Sequence, residues 1–128
     1  MGAAYGTAKS SIGIANLGMV QPDKIFRALI PIIMAGILGI YGLIVAVLLN
    51  TKAKSADTGK EGYKLLGAGL CCGFSALASG FAIGIAGEAG IRAYSQTDSI
   101  FVGMILIMIF AEAIGLYGLI VAIIMTSG

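Results

Sequence analysis

Three long uncharged runs constrain this chain more than any other feature. Residues 28–49 and 65–87 carry no charge, and residues 99–125 carry one, Glu112. Each is long enough for the roughly 20 apolar residues that a membrane-crossing helix needs. The apolar positions run on without the alternation of a barrel strand, so the runs predict helices. Composition points the same way. Charged residues make up 11% of the chain and hydrophobic ones 59%, whereas a soluble domain carries roughly a quarter charged residues. The expected fold is an all-α membrane protein whose side chains face lipid as well as one another.

Several function classes drop out. A net charge of +2, with the basic residues in short loops, argues against nucleic acid as a partner. Histidine is absent, and the two cysteines, Cys71 and Cys72, are adjacent within an apolar run. Neighbouring cysteines seldom bridge, and metal sites need more ligands at other spacings, so both read as packing residues. No metal and no cofactor is expected. Residues 1–7 lack the basic start and apolar centre of a signal peptide. Gly6 stands where the myristoylation pattern needs Ser or Thr.

The chain repeats itself. IYGLIVA at 40–46 returns as LYGLIVA at 116–122, an offset of 76 with six of seven positions identical. GAAYG at 2–6 lies near GFAIG at 80–84, an offset of 78. Duplication of a helical hairpin accounts for both. The first hairpin is expected over 1–54 and the second over 55–128. The first helix matches only the second half of its counterpart, because 65–79 has no equivalent. This leads us to expect roughly 15 to 25 further residues before Met1, enough to complete a span. Residues 21–24 predict a turn, with Pro22 and Asp23 suited to it. Residues 51–64 predict a polar linker, and 94–99 the last connection.

Glycines recur at intervals of three, four and seven: Gly2, Gly6 and Gly13 in the first helix, and Gly69, Gly73, Gly80, Gly84 and Gly87 in the third. Those intervals share one helix face and let backbones approach closely. The second and fourth helices are bulkier, so glycine helices are expected inside and bulky helices toward lipid. Glu88 and Arg92, four apart, predict a helix-end ion pair.

Glu112 is the residue that carries chemistry. It lies 13 residues from each end of its run, about 20 Å at the rise of a helix and so near the bilayer midplane. A carboxylate there costs several kcal/mol. Lys9, Arg27 and Arg92 lie toward helix ends, too far for pairing. Protonation removes the charge, and ionisation then requires water or a cation from elsewhere in an assembly. A group that is neutral in transit and charged at loading and unloading is a carrier. Its repeat partner is Gly36, so one hairpin has the carboxyl and the other lacks it. That separates Glu112 from anything both hairpins need in order to fold.

Residues 105–122, ILIMIFAEAIGLYGLIVA, resemble the fourth helix of the c-type proteolipids of the eukaryotic vacuolar H+-ATPase. Residues 2–14, 32–46 and 80–91 resemble other parts of that family in the same order. The resemblance implies a ring of such chains, identical or mixed, in the V0 rotor. Glu112 would load a proton from one half-channel and release it to another. An arginine of the stator's a-type component would separate the two, with further V0 and V1 subunits as partners and lipid around the ring. ATP hydrolysis would occur on other subunits, making this chain non-catalytic. Gly59-Lys60-Glu61 lacks the earlier glycine and the Ser or Thr of a phosphate loop. Tyr117, Phe110, Ile83 and Gly36 are the expected neighbours of the site, and Tyr117 the expected contact for plecomacrolide inhibitors.

An acid in the fourth helix points to the c or c′ type. Sodium-carrying relatives supply Gln and Thr ligands. This chain offers Met34, Ala35 and Ile37 around Gly36, and Phe81, Ala82 and Ile83 near Gly80, so the expected ion is the proton. The resemblance implies a multi-pass protein of the vacuole or another acidic endomembrane, with the turns near Pro22 and Gln96 cytosolic and the 51–64 linker lumenal. That linker holds Lys52, Lys54, Lys60 and Lys64, against the positive-inside rule. Two alternatives compete: the c-type proteolipid of an F-type synthase, and a non-transporting assembly or pore-forming proteolipid that would not need Glu112.

Overall fold

The computed structural model describes residues 1–55 and 58–127. Ala56 and Asp57 of the expected linker, and Gly128 at the end of the expected second hairpin, lie outside the described residues. The described chain is helical throughout. It comprises α1 (Gly2–Val20), a 3₁₀ turn (Pro22–Lys24), α2 (Ile25–Ala28), α3 (Ile30–Ala53), α4 (Gly59–Gln96) and α5 (Ile100–Ser127). Three helical stretches are long and apolar enough to cross a membrane: 22–53, α4 and α5. The 19 residues of α1 are not among them.

Proline sets the local breaks. Pro22 holds the residue before it out of the helical region, and Gln21 adopts φ −139° and ψ 76°, ending α1. Pro31 lies in the first turn of α3, where its missing N–H leaves no helical bond broken. Leu29 between α2 and α3 stays near helical dihedrals, so the chain passes from α2 into α3 with only a local break.

The polar linker expected over 51–64 is shorter in the structure. α3 runs on to Ala53, and α4 begins at Gly59. The reason is capping. The Thr58 side chain accepts the Glu61 N–H at 3.2 Å, starting α4 six residues before its apolar run begins. Lys, Glu and Ala are good helix formers, so both helices continue where hydrophobicity stops. The last connection shortens likewise. Tyr94 to Gln96 remain in α4, leaving 97–99 to turn the chain.

Packing follows the glycines. α1 lies along α4 with backbones in contact, and a side chain at Gly2 or Gly80 would strike the facing main chain. Gly6 faces Gly80, Gly13 faces Glu88 and Ile91, and Gly87 faces Ser10 and Pro31. The glycine-rich helices are thus each other's neighbours. α3 and α5 carry many exposed large apolar residues, among them Ile40, Leu43, Leu106, Ile109 and Ile124. Gly73, by contrast, has open space beside it. Cys72 is buried in the second core cluster, and both cysteines are free.

The two short turns meet at one end of the bundle. Gln21 Nε2 donates to the Ser95 carbonyl at 2.7 Å, and Lys24 Nζ to that of Tyr94 at 3.1 Å. Lys24 also pairs with Asp98 and lies over the Tyr94 ring. Glu88 forms the predicted pair with Arg92 at 2.6 Å and a second, looser one with Lys9 of α1 at 3.9 Å.

Candidate functional site

α5 presents one continuous buried stripe: Met104, Met108, Ala111, Glu112, Gly115, Leu119 and Ala122. Steps of three and four keep these residues on one face. That face packs on α4 and α3. The Ser79 hydroxyl of α4 donates to the Ala111 carbonyl at 2.6 Å. One turn further along α5, Gly115 leaves space that Leu38 of α3 and Ser79 occupy. Ile83, fully buried, belongs to the same core cluster as Leu38, Met108 and Ala111.

Glu112 is therefore held against neighbouring helices within a single chain, only 9% exposed. Neither of its carboxyl oxygens has a hydrogen-bond partner among the described residues. None of the ion pairs among those residues includes it. The hydroxyl of Tyr41, on α3, is within electrostatic reach of the carboxyl but falls short of hydrogen-bond geometry. Desolvating a charged carboxylate without a partner is expensive, so this pocket suits the neutral acid. Chemically the arrangement is a solitary carboxyl in an apolar seat, with one phenol able to turn toward it.

The expected neighbours divide. Ile83 lies in the core that backs the site. Gly36, the repeat partner, is exposed, with nothing near the place of a side chain. Phe110 and Tyr117 are not brought to the carboxyl within one chain. They stand about 160° and 140° round α5 from it, 74% and 63% exposed. The tyrosine beside Glu112 is Tyr41, the repeat counterpart of Tyr117. The sequence pointed instead to Tyr117, on the acid's own helix. The missed signal was the duplication: the facing hairpin supplies the equivalent tyrosine from across the interface.

The sequence profile of the ATP synthase C-subunit family matches residues 1–49 and 66–125. A 16 kDa proteolipid of the V-type proton ATPase from Caenorhabditis elegans, the c-type chain numbered 2, is 54% identical over 128 residues, covering 98% of this chain and 80% of the relative. The c-type 16 kDa proteolipid of the V-type proton ATPase from Rattus norvegicus is 55% identical over 127 residues, covering 99% and 82%. The Homo sapiens protein of the same name is 54% identical with the same coverage. The chain belongs to the V-type proteolipid branch of the ATP synthase C-subunit family. Membership in this proteolipid family accords with three membrane-length apolar stretches and places the chain in a membrane. The two matched stretches of the proteolipid profile bracket residues 50–65, which join α3 to α4.

Proposed function

We propose that this chain is a rotor-ring proteolipid of a vacuolar proton pump and that Glu112 is its proton carrier. One observation carries the reading: a buried mid-helix carboxyl with no bonded partner among the described residues. A structural glutamic acid would use its oxygens to tie helices together. This one ties nothing. Here the helix-to-helix hydrogen bond at that level is made by Ser79 instead.

The geometry supports the following steps. Packed against α3 and α4, Glu112 is neutral and shielded, which suits travel through lipid. Ionisation needs a charge or water from outside the chain, since no cation among the described residues pairs with it. A stator arginine on a separate chain supplies this requirement. Tyr41 is positioned to donate to the carboxylate once it forms. ATP hydrolysis is assigned to other subunits, and the two halves, 1–54 and 55–128, act as one carrier with a single acid. The pump's site of action is an acidic endomembrane such as the vacuole.

The test is Glu112→Gln in every proteolipid copy of this kind. ATP-driven acidification is expected to fall to background while the membrane assembly still forms. Normal acidification would remove the proposal. A companion experiment uses dicyclohexylcarbodiimide, which attacks protonated carboxyls in apolar surroundings. Its adduct is expected on Glu112, with Glu61 and Glu88 unmodified.

A further inference from the structure

Proton carriage leaves the lysines between the hairpins without a role. The structure gathers three of them. Lys52 in the last turn of α3, with Lys60 and Lys64 at the start of α4, lines a pocket of about 400 Å³. Thr58 adds a hydroxyl, and Leu65 and Met125 add apolar surface. The ion pairs of Lys9, Lys24 and Arg92 lie elsewhere in the bundle. Among the described residues the lining sets three lysines against one acid, Glu61. The positive end of the long helix α4 points the same way.

Depth identifies the ligand. Leu65 begins the uncharged run of α4, and Met125 ends that of α5. The pocket therefore lies where hydrocarbon gives way to headgroups. At that boundary Leu65 and Met125 give the pocket an apolar wall next to its lysines. A molecule with an anionic head and apolar tails satisfies both features at once. Free phosphate would satisfy only the first, and the cationic part of a zwitterionic head would be repelled. We infer that the pocket binds the phosphate of an anionic bilayer lipid through Lys52, Lys60 and Lys64. The inference is independent of the role of Glu112. It also gives a reason for lysines in a segment that the positive-inside rule would otherwise place in the cytosol.

The experiment uses the full chain in nanodiscs of phosphatidylcholine, alone or with about 20 mol% phosphatidic acid. Lysine acetylation is mapped by mass spectrometry on the unaltered chain. With phosphatidic acid present, Lys52, Lys60 and Lys64 are expected to be protected, while Lys54, which does not line the pocket, stays reactive. In native mass spectrometry the K52Q/K60Q/K64Q chain should retain at least about tenfold less phosphatidic acid, each surface lysine being worth roughly fivefold. Equal protection of Lys54 would mean diffuse surface charge and overturn the site. Equal protection by inorganic phosphate in phosphatidylcholine discs would overturn the lipid assignment. Should the triple variant fail to insert, the acetylation pattern of the unaltered chain decides alone.

Discussion

Glu112 stands alone because of the residues one turn away on its own stripe. Met108 and Gly115 offer no hydrogen-bond donor side chain, and Ser79, which has one, gives it to the Ala111 carbonyl. Among the described residues Tyr41 stands near enough to respond when the carboxyl ionises. Tyr41→Phe is expected to lower ATP-driven proton flux about fivefold, the worth of one ordinary hydrogen bond of about 1 kcal/mol. The carbodiimide adduct on Glu112 should persist, because the neutral acid does not depend on that phenol. Ser79→Ala should cost about 0.6 kcal/mol, typical of a hydrogen bond between membrane helices, measured as the stability of the solubilised chain. Flux that is unchanged in Tyr41→Phe would leave the phenol as a packing residue.

Among the helices, the α1–α4 pair depends on absent side chains. At Gly80 any substituent meets the Gly2 main chain, which cannot rotate aside. Gly73 on the same helix has nothing beside it. Gly80→Leu is therefore expected to destabilise the chain by at least about 3 kcal/mol, the upper end of overpacking costs. Gly73→Ala should stay within about 0.5 kcal/mol of the parent. Cys72, buried at 2% exposure, supplies the readout. A thiol-reactive fluorophore added during heating reports its exposure. Similar melting of both variants would show that the glycine face does not carry the packing.

For the whole molecule, the arrangement of ends is the testable feature. The 21–24 turn and the 97–99 connection lie side by side, joined through Lys24, Tyr94 and Asp98. The α3–α4 connection, with its basic pocket, is at the other end of the bundle. In sealed vesicles, Thr97→Cys and Lys54→Cys are expected to react with an impermeant maleimide from opposite faces. Labelling of both from one face would contradict a spanning bundle.

Much of this was legible in the residues themselves. Uncharged length predicts the spans, glycine spacing predicts which helices touch, and the one charge in a long run marks the carboxyl that the structure buries without a bonded partner among the described residues. These are one-dimensional signals, because the bilayer imposes the same penalty on any charge at a given depth. Helix ends were harder to read: hydropathy falls at Lys64, but the Thr58 cap keeps the backbone helical beyond it. The surroundings of Glu112 were harder still. Distance along α5 favoured Tyr117, yet a helix turns that residue about 140° away. Only the docking of one hairpin on the other brings Tyr41 to the carboxyl and three separated lysines to one pocket. Contacts between helices depend on rotation and register, and these are settled when side chains pack in three dimensions.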